Sequence, residues 1–484
     1  MRASAMLRSG RVVVSGSVRG RAPRTAGPRS RWRAALQVGT GRASRTAATA
    51  RVRRARFVLR TAAGAPGTTT RFRVRLRAGR RVLATSKVLT VRVPAAAPGP
   101  GAPTPAPGTP APPAVPPAAP GPSGPAPVDF VALNAGRATT CGLRASRRVA
   151  CWGYGATGEI GDGGNVNRAS PVAVAGLTDA VAVDSGSGHT CALRATSQVL
   201  CWGYNPTGEV GDGTTANAST PRPVVGLTGA TAVSAGGTQS CALLASGQVR
   251  CWGGNGSGQL GDGTTTDRTT PVAVQGLTDA VAISAGGVHT CALRAGGQVV
   301  CWGGNAGTLG DGTTTNRPTP VAVQGLTDAT GVAADYAHAC AVRASGQAVC
   351  WGSGTLGRVG DGTTADRLTP VPVTGLTNAA SVAVGTYHSC AVRATGAVAC
   401  WGSNSDGALG DGTTTQRTSP VAVVGIGDAL QVVGGGGGGS AFSCALRPAG
   451  AAVCWGAGDA GQLGTGTVVS GPTTHPVAVV DPGI

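Results

Sequence analysis

Hydrophobic and polar residues alternate in short runs along this chain, with glycine and small polar residues between the runs. In residues 71–79, Phe72, Val74 and Leu76 occupy alternate positions, and arginines stand between them. A period of two predicts a β-strand with one buried face. Similar runs elsewhere in residues 1–93 predict a small, basic domain built from strands.

From residue 129 onward, the same pattern of apolar runs returns about every 50 residues. One unit contains runs at residues 280–284, 289–295, 298–303 and 320–326, which we interpret as four short strands. Seven such units predict a seven-bladed β-propeller, since propeller blades are four-stranded sheets repeated around a central axis. A β-solenoid is the structural alternative, but its coils are usually shorter and need not number seven.

Each unit contains two cysteines that bracket nine residues. Pairing Cys291 with Cys301 across a hairpin leaves a three-residue turn that ends at Gly297, where such turns need a left-handed residue. Arg147 and Ser197 replace this glycine in two units and predict strained or different turns. In the last unit, Pro448 suits the first position of a type I turn.

The same register predicts a disulfide in every unit, because opposed residues of antiparallel strands lie within disulfide distance. Buried free thiols are the alternative, whereas a zinc site would lack its remaining ligands. The predicted pairs are Cys141–Cys151, Cys191–Cys201, Cys241–Cys251, Cys291–Cys301, Cys340–Cys350, Cys390–Cys400 and Cys444–Cys454.

A tryptophan follows the second cysteine of every unit and therefore points to the opposite face of its strand. One large ring at the same register of each blade predicts packing between neighbouring blades rather than a stacking platform for nucleotides. These structural residues are Trp152, Trp202, Trp252, Trp302, Trp351, Trp401 and Trp455.

Composition divides the chain further. Residues 94–128 hold 15 of the 32 prolines, which predicts a semi-rigid linker between the basic domain and the propeller at residues 129–484.

Residues 1–128 carry 24 Lys and Arg and no acid, whereas residues 129–484 carry 17 Arg and 20 acids. Arginines that alternate along strands are typical of a solvated face, so we predict no specific nucleic-acid partner. The sequence contains no run of 18 uncharged apolar residues, so we predict no membrane-spanning helix.

Two resemblances add to this interpretation. Residues 1–93 loosely resemble the immunoglobulin-like β-sandwich modules of bacterial secreted proteins, with a poorly ordered basic arm as the alternative. The string AVAISAGGVHTCALRAGGQVVCWGGNAGTLGDGT at residues 280–313 resembles the repeats of the regulator-of-chromosome-condensation family. This second resemblance covers residues 129–484 and implies a seven-bladed propeller.

The resemblance also implies candidate functions. The eukaryotic founder of the family binds chromatin and exchanges nucleotide on a small GTPase, so a regulatory guanine-nucleotide exchange factor is the alternative function. That exchange activity uses surface elements beyond the bare repeat, and these nearly uniform units show no comparable insertion. A more similar precedent is a secreted bacterial inhibitory protein built from such repeats, which binds its enzyme through one propeller face.

Five arginines follow a recurring Gly-Asp-Gly motif and are predicted to lie at one height around the disc, where they can attract an anionic partner. Asp267 and Asp366 directly precede two of them, so local pairing is the alternative. The aspartate of the motif itself is typical of a turn. The candidate partner-binding residues are Arg168, Arg268, Arg317, Arg367 and Arg417.

Four histidines stand at one register, at His189, His289, His338 and His388. The blades would hold them too far apart to share a metal ion, and no catalytic constellation is present, so we predict no metal, no cofactor and no enzyme activity. Seven disulfides imply an oxidising compartment. We therefore predict a monomeric, secreted or cell-surface protein that binds a protein partner, although the first residues lack the apolar core of a signal peptide. A purely architectural spacer is a further alternative.

Overall fold

The computed structural model describes residues 129–481 throughout and, within residues 2–92, the backbone of eight strands. The predicted linker at residues 94–128 lies outside the described residues. The chain divides into two compact units, residues 1–117 and residues 118–484.

The first unit contains two antiparallel sheets. β1, β2 and β5 form one sheet, and β4, β3, β6 and β7 form the other, in which β8 pairs with β6. The predicted immunoglobulin-like packing involves side chains outside the described residues and stays a prediction. The strands are β1 (Arg2–Arg8), β2 (Arg11–Ser17), β3 (Trp32–Val38), β4 (Arg45–Arg51), β5 (Arg56–Ala62), β6 (Thr69–Ala78), β7 (Arg81–Thr85) and β8 (Leu89–Arg92).

The second unit is a seven-bladed β-propeller, as predicted. Each blade is a sheet of four consecutive antiparallel strands, and the first strand of each blade lines a central channel. Within residues 129–481, helical structure is limited to single 3-10 turns at Thr355–Gly357 and Pro448–Gly450. We number the blades 1 to 7 in chain order.

The strands of the propeller follow one plan. The first strands are β9 (Phe130–Ala135), β13 (Ala180–Ser185), β17 (Ala230–Ala235), β21 (Ala280–Ala285), β25 (Ala329–Ala334), β29 (Ala379–Val384) and β33 (Gln431–Gly437). The second strands are β10 (Thr139–Arg144), β14 (His189–Arg194), β18 (Gln239–Leu244), β22 (His289–Arg294), β26 (His338–Arg343), β30 (His388–Arg393) and β34 (Ser440–Leu446). The third strands are β11 (Val149–Gly153), β15 (Val199–Gly203), β19 (Val249–Gly253), β23 (Val299–Gly303), β27 (Ala348–Gly352), β31 (Val398–Gly402) and β35 (Ala452–Gly458). The outer strands are β12 (Arg168–Ala173), β16 (Ala218–Pro223), β20 (Arg268–Ala273), β24 (Arg317–Ala322), β28 (Arg367–Pro372), β32 (Arg417–Ala422) and β36 (Val469–Ala478).

Every blade contains the predicted disulfide. Cys291 pairs directly with Cys301, and Leu293 pairs with Val299, which is the predicted register of the hairpin. The two Cα atoms of each pair lie 4.0 to 4.1 Å apart in all seven blades, and both cysteines are fully buried. The seven predicted disulfides are therefore confirmed.

The hairpin turns differ where the sequence departs from glycine. Gly297 is left-handed, with φ of 88°, and both Arg147 and Ser197 adopt φ of 65° at the same turn position, so these two turns are strained as predicted. The last blade differs from the expected type I turn, because Ala449, after Pro448, is also left-handed at φ of 63°. Proline is equally compatible with a type II turn, whose second residue is left-handed.

The seven tryptophans of the propeller lie between the blades. All seven indoles are fully buried, and each core cluster joins the disulfide of one blade to the tryptophan of the next, as with Cys291, Cys301 and Trp351. Each indole nitrogen also donates a hydrogen bond to a backbone carbonyl of the preceding blade, for example from Trp202 to Glu159 at 2.8 Å. Burial of a large ring together with a satisfied N–H explains why tryptophan suits this position.

The ring closes without any strand being exchanged between its ends. Trp152 of blade 1 donates to the carbonyl of Gln462 in blade 7 at 3.0 Å, which repeats the contact made between the other blades. The Gln431 side chain adds two hydrogen bonds of 2.9 Å to the backbone of Leu133. The junction between blades 7 and 1 is thus built like the other junctions, with additional side-chain bonds.

A buried arginine joins the two ends of the propeller. Arg144 lies 2.6 Å from a carboxylate oxygen of Asp481 and 3.0 Å from one of Asp129, and the side chains of Arg144 and Asp481 are 6% and 1% exposed. Burial acts to lower the pKa of Arg144, but hydrogen bonds and charge interactions with Asp481 and Asp129 outweigh it and raise the pKa. Arg144 therefore clamps the residues that precede blade 1 to those that follow blade 7.

Candidate functional site

The two faces of the propeller carry different loops. The tight hairpin turns and the connections between blades lie on one face. The other face carries the loops after the first strands and the long loops, such as residues 154–167, between the third and outer strands. We call this second surface the long-loop face.

All four tyrosines of the chain lie on the long-loop face. Tyr154 and Tyr204 directly follow third strands, and Tyr336 and Tyr387 follow first strands close to the mouth of the channel. Tyr154, Tyr204 and Tyr336 are 40%, 44% and 60% exposed. A chain with 3% aromatic residues thus presents its tyrosines together on one surface.

The central channel is asymmetric. It encloses a cavity of about 240 Å³ that is lined by the first strands of the blades. At one register, blades 1 to 4 place polar side chains toward the cavity and blades 5 to 7 place apolar ones. These residues are Asn134, Asp184, Ser234 and Ser284 on the polar side, and Ala333, Ala383 and Val433 on the apolar side.

The polar side chains of the channel join neighbouring blades. Asp184 accepts hydrogen bonds from the Asn134 amide and, at 2.9 Å, from the backbone N–H of Ala235 in the next blade. The Ser234 hydroxyl accepts the equivalent N–H of Ala285 at 3.0 Å. Burial nevertheless raises the pKa of Asp184 to about 6, because desolvation outweighs these hydrogen bonds.

The four histidines lie buried beneath the channel mouth. The Nε2 atom of His189 lies 2.8 Å from the Ser240 hydroxyl, which itself donates to the carbonyl of Glu209 at 2.9 Å. The hydroxyl hydrogen is therefore committed to the carbonyl, so His189 donates its Nε2–H to the serine oxygen. His338 and His388 make the same contact with Ser389 and Ser443, both at 2.7 Å.

One histidine lacks this partner. His289 faces the position of Ala339, which replaces the hydroxyl residue of the other blades, and neither ring nitrogen of His289 has a hydrogen-bond partner. An unsatisfied buried polar group is expensive because it loses its bonds to water without replacement. The junction between blades 4 and 5 therefore contains a local defect that the repeat pattern identifies.

We expect Ala339→Ser to stabilise the protein by about 1 kcal/mol, because the new hydroxyl gives His289 a partner. The hydroxyl can donate to the carbonyl of Thr308, which accepts the Trp351 indole N–H at 2.8 Å. Thermal unfolding measures the gain. The reverse change, Ser389→Ala, removes the partner of His338 and should destabilise by a similar amount, so equal midpoints for both variants would contradict the prediction.

We also expect acid to destabilise the propeller. Desolvation lowers the pKa of His189, His289 and His388 to about 4, so the unfolded chain binds their protons first and stability is lost as the pH falls from about 6.5 to 4. Asp184 and Asp335 act in the opposite sense, because burial raises their pKa values to about 6 and 7 and the folded chain binds those protons first. Desolvation also lowers the pKa of His338. Four histidines therefore oppose two aspartates, which predicts a net loss of at least about 3 kcal/mol between about pH 7.5 and 4.5.

Guanidinium unfolding at the two pH values checks this expectation. Blade 3 supplies a control, since it carries Gln239 at the register of the histidines. The variant His388→Gln should lose stability less steeply on acidification, because one titrating group is gone. An unchanged slope in this variant would show that other groups determine the acid sensitivity.

The five predicted partner-binding arginines each contact an aspartate of the Gly-Asp-Gly motif. Arg268 lies 3.1 Å from Asp262, whose carboxylate also accepts the hydroxyl of Thr264 at 2.7 Å. Arg168, Arg317, Arg367 and Arg417 make the same contact with Asp162, Asp311, Asp361 and Asp411, at 2.5 to 3.0 Å. The arginines thus fasten the long loops, and their binding of an anionic partner stays a prediction.

Local pairing of these arginines occurs, but with different acids from those that the sequence indicates. Asp267 instead accepts the backbone N–H of Asn255 at 2.7 Å, and Asp366 accepts that of Gly354 at 2.9 Å. Burial acts to raise the pKa of Asp262, but its hydrogen bonds with Thr264 and Arg268 outweigh it and lower the pKa. The motif aspartate therefore stays ionised, as the pairing requires.

Sequence reasoning missed a cluster at blades 5 and 6 on the long-loop face. Asp335 lines the channel mouth, next to the exposed Tyr336. Arg358 is 5% exposed, and its guanidinium carbon lies 5.6 Å from the centre of the Tyr387 ring. The signal was present in the repeat, because Asp335 stands where the other units have glycine, and Arg358 stands where they have Glu, Gln, Thr or Ala.

Two further observations concern only the described part of the chain. No helix there has the length and apolar character needed to cross a membrane. No group of three or more His, Cys, Asp or Glu side chains is arranged there to hold a metal ion.

Comparison with known proteins identifies the repeat. Residues 108–385 match the family model of the RCC1-like domain, and residues 379–408 match that of the regulator of chromosome condensation (RCC1) repeat. No curated protein matches the chain significantly.

Solved structures are similar in fold. Prp20p from Saccharomyces cerevisiae matches with a TM-score of 0.61 and 23% identity over 68% of this chain and 85% of that chain. The yeast RCC1 (Prp20) bound to Kap60 gives 0.60 and 21% identity over 68% and 83%. Human WBSCR16 gives 0.58 and 20% identity over 64% and 85%. At these identities, the likeness concerns the fold alone.

Proposed function

Because the chain belongs to the RCC1-like domain family, we propose that it is a non-catalytic protein-binding module that engages its partner through the long-loop face. The observation that carries the proposal is the placement of all four tyrosines on this face. Tyrosine is enriched among the residues that dominate binding energy at protein interfaces, because it combines a large apolar ring with a polar hydroxyl.

The scaffold supports this role by being rigid. A disulfide crosses every blade, and a buried tryptophan fills every junction between blades. A surface that is ordered before binding loses less conformational entropy when the partner arrives. The propeller is therefore suited to present a fixed pattern of loops.

We place the protein outside the cell or at its surface, as a monomer. The support is the disulfide in every blade, since disulfides persist in oxidising compartments. In this proposal, the proline-rich linker predicted from the sequence connects the basic N-terminal module to the propeller as a semi-rigid stalk.

Related proteins support the class of function. Prp20p has binding properties toward Gsp1p and histones, and yeast RCC1 binds Kap60. A guanine-nucleotide exchange factor is the alternative function. Alkylation of the natively isolated protein separates the two, because mass spectrometry should find all 14 cysteines blocked as disulfides in a secreted protein. Fourteen free thiols would favour the intracellular exchange factor.

Loss of binding from one face tests the proposal. The triple variant Tyr154→Ser, Tyr204→Ser, Tyr336→Ser removes the exposed rings from the long-loop face. The matched control is Val131→Ser, Val181→Ser, Val281→Ser, which removes valines of 53%, 43% and 53% exposure from the opposite ends of first strands. Affinity capture from the extracellular and surface fractions of the source cells should yield a partner with wild type and control that the tyrosine variant loses. Equal capture by all three proteins would overturn the proposal.

A further inference from the structure

We propose that the long-loop face recognises a lysine or arginine side chain of its protein partner, and that Asp335 and Tyr336 receive this cation at the channel mouth. The inference rests on the proposed protein-binding function and adds the chemistry of the partner. It is carried by a set of departures from the repeat that are concentrated in blades 5 and 6.

Asp335 is a departure that provides no ion pair. The other six blades have glycine at this register, namely Gly136, Gly186, Gly236, Gly286, Gly385 and Gly435. The Asp335 carboxylate accepts the backbone N–H of Tyr336 at 2.7 Å, and no cationic group of the described residues forms a salt bridge with it. Burial at the channel mouth raises the pKa of this carboxyl to about 7. The charge of Arg358 offsets this desolvation only in part, and a carboxylate that is desolvated without a salt bridge is unfavourable for folding.

The same site also lacks backbone bonds that join other blades. Next to this register, the N–H of Ser187 donates to the carbonyl of Gly236 at 3.0 Å, and the N–H of Gly237 donates to that of Gly286 at 2.8 Å. Equivalent bonds join blade 1 to blade 2 and blade 7 to blade 1. Among the described residues, no such bond joins blade 5 to either neighbour, and none joins blade 6 to blade 7. Departures that weaken the fold without local compensation are typical of functional sites.

Tyr336 extends the site toward blade 4. Its side chain is 60% exposed, and a Cβ atom at Gly287 would lie 3.0 Å from both its Cα and its ring. The glycine at position 287 therefore leaves room for Tyr336 against blade 4. The face of an aromatic ring attracts cations, and this attraction adds to that of a carboxylate.

Arg358 offsets the charge of Asp335 only in part. It donates to the carbonyls of Thr355 and Thr386, both at 2.9 Å, and its guanidinium packs over the Tyr387 ring. It lies beyond salt-bridge distance of Asp335, and it is too deeply buried to meet a partner. Its role is to hold the loops of blades 5 and 6 in place beneath the exposed pair.

A cation of the partner fits these observations better than a metal ion does. One carboxylate offers too few oxygen ligands for calcium or magnesium, and no cluster of three ligands is found among the described residues. Residues 129–484 carry 20 acids against 17 arginines, so the propeller does not repel a basic partner. Pairing with the cation would give the half-buried carboxylate the salt bridge that it does not form within the described residues.

The probe for the test is a displayed library of random cyclic peptides, selected on the full chain. Peptides selected on the wild type should contain lysine or arginine, and Asp335→Asn should weaken their binding at least tenfold in fluorescence anisotropy. Replacing the basic residue of the peptide by norleucine should cause the same loss. The matched control is Asp212→Asn, because Asp212 also lacks an arginine partner but lies in a Gly-Asp-Gly loop, where it bonds Thr214. This control should change affinity less than twofold.

The outcomes separate this inference from the proposed function. Peptides that lose affinity in the tyrosine variant but bind Asp335→Asn as tightly as the wild type overturn the inference and leave the proposed function standing. Peptides that depend on neither set of residues overturn both.

A folding measurement completes the test. Asp335→Gly restores the residue of the other six blades, so its midpoint of thermal unfolding should equal or exceed that of the wild type. A lower midpoint would make Asp335 a structural residue and would also overturn the inference.

Discussion

After reduction of its seven disulfides, the propeller is expected to lose its cooperative unfolding transition in guanidinium. Each disulfide closes a loop of ten residues along the chain and stabilises the fold by about 2–3 kcal/mol. Seven of them contribute roughly 15–20 kcal/mol, which equals or exceeds the whole stability of an ordinary domain, about 5–15 kcal/mol. Tryptophan fluorescence during refolding, with and without reductant, measures the effect.

A variant that lacks only one disulfide serves as the control for complete reduction. Cys291→Ala with Cys301→Ala removes one bond and should lower the free energy of unfolding by about 3 kcal/mol while the transition stays cooperative. Because the cysteines are fully buried, reductant added to the folded protein should act only as fast as the protein unfolds. A reduced chain that unfolds at the midpoint of the oxidised protein would contradict the prediction.

Arg144→Ala is expected to lower the free energy of unfolding by about 3–5 kcal/mol, because it leaves the carboxylate of Asp481 buried without its cation. Hydrogen exchange should locate the loss in blades 1 and 7, where Arg144 joins the two ends of the ring. Chemical denaturation gives the magnitude.

Blade 4 provides the matched control for Arg144. Arg294 occupies the equivalent strand position and contacts Asp279 at 2.8 Å, but these side chains are 36% and 40% exposed. An exposed ion pair contributes little, so Arg294→Ala should lower the free energy of unfolding by less than about 1 kcal/mol. Similar losses in both variants would show that the ends of the ring are not held by the buried pair.

The propeller and its disulfides could be predicted because their determinants are local. The spacing between Cys291 and Cys301 fixes the register of one hairpin, and the recurrence of that spacing counts the blades. Sequence offsets within a hairpin translate directly into opposed positions on two strands. The position of Tyr336, two residues before His338, was readable in the same way.

The remaining features depend on how distant segments meet. The partner of Arg268 is Asp262 rather than the adjacent Asp267, because the long loop folds back on itself before the outer strand begins. Arg144 and Asp481 are 337 positions apart, and no spacing rule connects them. The unpartnered state of His289 becomes visible only when Ala339 of the next blade is placed against it. Contacts between blades therefore had to come from the structure.

The independence of each blade has an evolutionary consequence. Every blade is one continuous segment with its own covalent cross-link, and it meets its neighbours through the same indole-to-carbonyl bond. Recombination that exchanges the coding sequence of one blade for another thus delivers a complete sheet that can make the same contacts with both neighbouring blades. Exchange of blades can therefore change the binding loops of the protein, while the propeller keeps its fold.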